Sequence, residues 1–122
     1  MRLGAYACEI KEDSLAYQAY QSPLIYERHR HRYELNNEYL KDFESEGLIA
    51  SGINPETKLV EVMELDNHPF FLGTQYHPEL KSTVERPHPL FVAFVKACLD
   101  YKLKTSASSE GKPMASNKIL AK

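Results

Sequence analysis

Residues 70–79 read FFLGTQYHPE, a nearly continuous apolar run that ends abruptly at a histidine, a proline and an acid. Such a run is typical of a β-strand that is covered on both faces. A strand that stops at His77 places an imidazole at the end of a sheet, where open α/β sheets bind their ligands. The stretch therefore predicts an α/β fold with a site at the end of this strand.

The surrounding segments predict further strands and a few helices. Alternating or apolar runs indicate strands over residues 3–10, 24–35, 48–53, 59–65 and 70–76. Helices are expected over residues 14–20 and 38–46, and from Pro89 onward with Leu90, Phe94, Cys98 and Tyr101 on one face. We expect an α/β domain over residues 1–102, with a mixed sheet and few helices. Residues 103–122, rich in Ser, Ala and Lys, are expected to form a disordered tail.

Composition argues against several classes of partner. The chain has 122 residues and a net charge of −2 from 15 basic and 17 acidic side chains, so no global field favours nucleic acid. The apolar runs, such as Leu90–Val95, are far shorter than the roughly 20 residues that span a membrane. The N-terminus does not have the pattern of a signal peptide. Two distant cysteines, Cys8 and Cys98, indicate reduced thiols and a cytoplasmic location rather than a disulfide.

The His77-Pro78-Glu79 sequence is a candidate for acid–base chemistry. A histidine can take a proton from a nucleophile when a third group fixes its tautomer. Pro78 stiffens the link, so that Glu79 could turn back and hold one ring nitrogen while the other faces a substrate. The alternative is a polar strand end with a solvated histidine and glutamate, and the motif alone leaves it open.

Residues 27–34, ERHRHRYE, form a second candidate site. Strand alternation sends Arg28, Arg30 and Arg32 to one face and the two histidines to the other. Parallel guanidinium groups can bind a carboxylate or phosphate, because each offers a planar fork of donors. The alternative is a basic strand face that only contacts water.

A metal site is a further alternative. His29 and His31 lie on one strand face, and His68, His77 or Glu79 could add ligands of the type that zinc prefers. Nothing in the spacing forces these residues into one shell, so no metal ligand is assigned.

Taken together, five motifs resemble the end of the CTP synthases, a family within the class I glutamine amidotransferases. They are MRLG at residues 1–4, ERHRHRYELN at 27–36, HPFF at 68–71, QYHPE at 75–79 and PHPLF at 87–91. They occur in the same order as in that family, and the resemblance covers about residues 1–101. It implies the C-terminal portion of a flavodoxin-like class I amidotransferase domain.

The resemblance also implies an activity and its residues. CTP synthases make CTP from UTP, ATP and glutamine, and their amidotransferase domain uses a Cys-His-Glu triad. His77 matches the triad histidine, Glu79 the acid that orients it, and Arg32 an arginine that contacts glutamine. The whole enzyme is expected to use ATP and Mg and to form a homotetramer in the cytoplasm, while this segment itself is expected to hold no cofactor.

The departures from the family pattern limit what this chain can do. The nucleophilic cysteine, the oxyanion glycines and the ATP- and UTP-binding synthetase domain belong to parts of the family upstream of the matched motifs. Neither Cys8 nor Cys98 is surrounded by the small residues of a nucleophile elbow. The chain alone is therefore expected to be inactive, since an acyl group needs a thiol. The alternative is a non-catalytic half-domain that only associates with a partner.

Overall fold

The structure, a computed structural model, describes residues 1–111, and their side chains as far as residue 106. Within residues 1–111 there are five strands, three α-helices and two 3-10 helices. In chain order they are β1 (Arg2–Ile10), α1 (Leu15–Tyr20), β2 (Leu24–His31), a first 3-10 helix (Asn37–Tyr39), α2 (Leu40–Ser45), β3 (Leu48–Ile53), β4 (Val60–Leu65), β5 (Leu72–Thr74), a second 3-10 helix (Pro78–Lys81) and α3 (Pro89–Gly111). The predicted α/β class with few helices is confirmed.

The strands form one sheet in the order β2-β1-β3-β4-β5, and each pair among the described strands is antiparallel. The longest pairing joins β1 to β2, from Arg2 opposite His31 to Glu9 opposite Leu24. Alternation along β2 buries Ile25, Glu27 and His29 and leaves the intervening residues exposed.

The sheet curls, and its two edges come together at the segment that follows β5. The Gln75 N–H donates to the carbonyl of Glu61 on β4 at 2.8 Å, and the His77 N–H donates to the carbonyl of Arg28 on β2 at 2.9 Å. Residues 75–77 therefore bridge from β4 to the opposite edge. The enclosed core contains apolar side chains from all parts of the curl, namely Cys8, Ile10, Ala16, Ile25, Val62, Tyr76 and Leu90.

Two strands are shorter in the structure than the sequence pattern predicts. β2 ends at His31 rather than Leu35, at the last position of its pairing with β1, where His31 lies opposite Arg2. β5 spans only Leu72–Thr74 and lies at a sheet edge, so the prediction of a long strand covered on both faces is wrong. After Gln75, which is still bonded to β4, the chain crosses to β2.

Local signals account for the short helices. The Ser14 side chain accepts the Tyr17 N–H at 3.0 Å and caps α1. Gly47 follows α2 with φ 92°, a conformation that ends helices and that glycine adopts without strain.

The last helix begins at Pro89 as predicted and continues to Gly111, into the range expected to be a tail. Ala107, Glu110 and Lys104 are good helix formers, which favours this extension. Residues 112–122 lie outside the described residues, so the tail prediction for them remains a prediction. No helix within residues 1–111 is both long and apolar enough to cross a membrane.

Candidate active site

The pair predicted from the His-Pro-Glu motif is in contact. The Nδ1 atom of His77 lies 2.7 Å from Oε1 of Glu79. Pro78 occupies the first turn of the 3-10 helix Pro78–Lys81, where its fixed φ suits the turn that carries Glu79 back toward the ring. A carboxylate can only accept, so Nδ1 donates this hydrogen bond, and none of the described residues bonds to Nε2.

The charge on this pair is set by the contact itself. The hydrogen bond from His77 lowers the pKa of the Glu79 carboxyl, which therefore stays ionised at neutral pH. The two side chains are 40% and 57% exposed, respectively. The pair is thus open to a ligand or to another part of a protein, and its arrangement is that of a general base with an orienting acid.

Of the three arginines predicted to share one face of β2, two lie on that face and the third lies beyond the end of the strand. Arg28 and Arg30 are exposed on that strand, and Arg32 is exposed just after it. Within the described residues, no hydrogen bond or ion pair engages the guanidinium of Arg32, and none joins it to His77 or Glu79. Arg32 follows the end of β2, and His77 is bonded beside Arg28, four residues earlier on that strand. The described contacts thus do not join the arginine to the acid–base pair.

The buried histidine of β2 belongs to a chain of polar contacts that sequence reasoning missed. Nδ1 of His31 donates to the carbonyl of Tyr33 at 2.9 Å, and Nδ1 of His29 donates to Nε2 of His31 at 2.8 Å. On the other side, Nε2 of His29 lies 2.7 Å from Glu61 Oε2, without an aligned hydrogen bond, and Arg2 donates to Glu61 Oε1 at 2.6 Å. These polar contacts hold the backbone on both sides of residue 32.

Burial controls the protonation of His29 and Glu61 in this network. It lowers the pKa of His29 to about 4, with the positive charge of Arg2 adding to the effect, so the ring is neutral at pH 7. Burial also raises the pKa of Glu61, against the opposing influence of Arg2. The one sequence signal for these contacts was alternation, which places His29 and His31 on the face opposite the arginines.

A second buried network surrounds Glu27, whose side chain is 1% exposed. Its Oε2 accepts the Tyr20 hydroxyl at 2.6 Å and Nε2–H of His88 at 2.5 Å. The Tyr76 hydroxyl lies 2.9 Å from that of Tyr20. Burial alone would raise the pKa of Glu27, but the bonds from His88 and Tyr20 and the charge of Lys81 hold the pKa below its usual value. Glu27 is therefore an ionised carboxylate in the interior.

Neither cysteine of the described chain can act as the nucleophile of this site. Cys8 is 0% exposed, and burial raises the pKa of its thiol to about 12, with Glu61 contributing. A buried thiol with such a pKa is inert. Cys98 is exposed on α3 and has no contact with His77 among the described residues. A thiol for His77 has to come from elsewhere.

The metal alternative gains no support from the part of the chain that the structure describes, where no group of three or more His, Cys, Asp or Glu could hold an ion. His29 is bonded to His31, and His77 to Glu79. His68 accepts the Phe70 N–H at 3.1 Å in a separate turn.

The sequence pattern of the family described as glutamine amidotransferase class I matches residues 1–97 of the chain. CTP synthase of Cytophaga hutchinsonii is 65% identical over 101 residues, which are 83% of this chain and 19% of that protein. CTP synthase of Aquifex aeolicus is 62% identical over 104 residues, which are 85% of this chain and 20% of that protein. The chain therefore spans about a fifth of the length of these relatives.

A solved structure shows the same fold. The glutaminase domain of Trypanosoma brucei CTPS with bound acivicin superposes with a TM-score of 0.77 at 37% sequence identity. The match covers 82% of this chain and 40% of that one. Sequence and fold thus agree on one family.

Proposed function

The chain belongs to the class I glutamine amidotransferase family, and from that premise we propose that it supplies the acid–base half of glutamine hydrolysis in a CTP synthase. The observation that carries the proposal is the 2.7 Å contact between His77 Nδ1 and Glu79 Oε1. It leaves Nε2 as the atom that takes a proton from a thiol and returns it to the departing ammonia. The thiolate forms a C–S bond to the carboxamide carbon of glutamine, and the C–N bond breaks as ammonia leaves with that proton. Water then hydrolyses the resulting thioester to glutamate and the free thiol.

Glutamine recognition is assigned to Arg32. Glutamine carries its α-carboxylate and its reacting carboxamide at opposite ends, so a guanidinium that does not touch His77 suits the carboxylate end. Its freedom from contacts within the described residues, and the ring-to-carbonyl bond from His31 to Tyr33 that brackets it, both favour this role.

The remaining machinery is assigned to other parts of the enzyme. These are the cysteine, the rest of the amidotransferase domain and a synthetase domain that binds ATP, Mg and UTP, in a cytoplasmic homotetramer. The outer side of α3 supports association with further protein, since Val92, Val95 and Leu99 are 50%, 56% and 56% exposed. Apolar surface of this kind marks contact with another protein surface.

One experiment tests the acid–base role. We expect the purified chain to release no ammonia from glutamine, because no described thiol reaches His77. In the complete enzyme that carries this segment, His77→Ala should abolish glutamine-dependent CTP synthesis while synthesis from added ammonia continues. Ammonia release by the isolated chain that His77→Ala removes would overturn the division of labour.

A second experiment tests the assignment of Arg32. Arg32→Ala in the complete enzyme should raise KM for glutamine by about 10- to 100-fold, the effect of losing a charge-assisted pair of about 1.5–3 kcal/mol. Synthesis from ammonia should be unchanged. Arg86→Ala is the matched control, since Arg86 is exposed in the turn before α3. Equal losses with glutamine and with ammonia would count against the assignment.

A further inference from the structure

The His77–Glu79 pair is exposed, so packing does not confine it, and its orientation depends on how the segment that carries it is attached. That segment is tied to β2 at its start by the bond from His77 N–H to the carbonyl of Arg28. At its other end, Nζ of Lys81 donates to the carbonyl of Tyr26 at 2.6 Å. The two carbonyls lie on the outer edge of the same strand, two residues apart.

Lys81 also faces the buried carboxylate. Its Nζ lies 3.7 Å from Oε1 of Glu27, an oxygen that has no hydrogen bond of its own. His88, the other basic group at Glu27, accepts the Leu90 N–H at Nδ1 (3.1 Å) and donates from Nε2 to the carboxylate. The charge of Lys81 therefore acts together with His88 and Tyr20 in holding the pKa of the Glu27 carboxyl below its usual value.

The residue before His77 is attached to the same carboxylate. The hydroxyl of Tyr76, a residue only 3% exposed, bonds to that of Tyr20, which donates to Glu27. Tyr76 on one side and Lys81 on the other therefore connect the segment to one buried carboxylate. This carboxylate sits on the inner face of β2, directly before Arg28, whose carbonyl holds the His77 N–H.

We propose that Glu27 and Lys81 are positioning residues that hold the His77–Glu79 pair in register against β2. The proposal rests on the proposed function of that pair. A charge pair with one partner buried is screened less than a surface pair, and losing one partner leaves an uncompensated charge inside. Small displacements of a catalytic group lower the rate steeply, by about 100-fold for 1 Å.

The test uses the complete enzyme that carries this segment, after wild type and His77→Ala have shown that the pair drives glutamine hydrolysis. Lys81→Met should lower kcat for glutamine hydrolysis by about tenfold or more and leave KM for glutamine unchanged, because Arg32 is not on the segment. The acid limb of the pH–rate profile should also move to lower pH in Lys81→Met. The Glu79 carboxylate would no longer face the protonated His77 imidazole and so would no longer stabilise it. A merely less stable enzyme would lose active molecules but keep the position of that limb.

Four further variants, among them Glu27→Gln alone, complete the test. Lys81→Arg should restore most of the rate, and Lys96→Met, which breaks an exposed lysine pair with Asp100 on α3, should behave as wild type. Glu27→Gln combined with Lys81→Met should be no slower than the slower single variant, because both act through one contact. An unmoved acid limb in Lys81→Met, or an equal loss in Lys96→Met, would refute the positioning role; failure of His77→Ala to affect hydrolysis would instead refute the proposed function.

Discussion

The closest packing in the curled sheet predicts the cost of one added methyl group. A Cβ on Gly52, in β3, would lie 2.7 Å from Cγ2 and 2.9 Å from Cβ of Val62, and 2.8 Å from Sγ of Cys8. Carbon atoms prefer separations of about 3.5–4.0 Å, so these neighbours would have to move by close to 1 Å. Val62 and Cys8 are both 0% exposed and lie in strands with partners on either side. Relaxation is therefore restricted.

We expect Gly52→Ala to lower the free energy of unfolding by about 2–3 kcal/mol, the upper part of the range for overpacked cores. The measurement is urea unfolding of the chain followed by far-ultraviolet circular dichroism, analysed as a two-state transition. Gly73→Ala is the matched control, because it changes the same residue type in β5 with no atom within 4 Å of the new Cβ. It should be neutral or slightly stabilising, by less than about 1 kcal/mol.

A double variant separates steric overlap from a backbone effect. Val62→Ala removes the methyl group nearest to the new Cβ, so Gly52→Ala should cost much less in that background than in wild type. A Gly52→Ala protein within about 0.5 kcal/mol of wild type would show that the strands shift freely. Full additivity of the two substitutions would show that the cost arises from the backbone of β3.

Two other predictions concern charge. Glu79→Gln in the complete enzyme should slow glutamine hydrolysis by about tenfold or more, because an amide stabilises the protonated His77 ring less well than a carboxylate. Ammonia-dependent synthesis should be unaffected. An unchanged rate of hydrolysis would count against the role of the pair. Burial lowers the pKa of His29 from 6.5 to about 4. Between these pH values the unfolded chain binds a proton that the folded chain does not. The free energy of unfolding should therefore fall as the pH falls from 6.5 to 4, by up to about 3 kcal/mol. Urea unfolding between pH 7 and pH 4 should show this loss, and His29→Asn should reduce it; an equal loss in His29→Asn would assign it to other groups.

Local chemistry made much of the fold predictable. Periodicity, with Pro89 at the start of the last helix, located five strands and three helices, and the structure shows that Ser14 and Gly47 act in the same local way at the ends of the short helices. The contact of His77 with Glu79 was predictable for the same reason, because the two residues are two positions apart and joined by a proline. Errors arose where a strand's length depended on its partner, as at the end of β2.

The buried networks were not predictable in this way. Glu27 and His88 are 61 residues apart in sequence, and Tyr20 and Tyr76 are 56 apart. Only the curl of the sheet brings them together, and no periodic signal specifies a curl. Alternation did place His29 on the face opposite the arginines, but it did not indicate that this face, which also carries Glu27, is buried.

The two faces of β2 differ in a way that bears on function. A buried ionic group often stabilises a protein no better than apolar side chains of the same size, and it costs several kcal/mol when its partner is lost. Stability alone therefore gives little reason to place Glu27 and His29 inside, next to exposed arginines on the same strand. Their contacts do have a geometric effect: Glu27 connects to both ends of the segment that carries His77, and His29 with His31 secures the backbone around Arg32. The inner face of β2 thus fixes the positions from which the groups on the outer face would act. Substitutions on the inner face should therefore lower activity more than stability. A proportional loss of activity and stability would argue that the buried charges serve the fold alone.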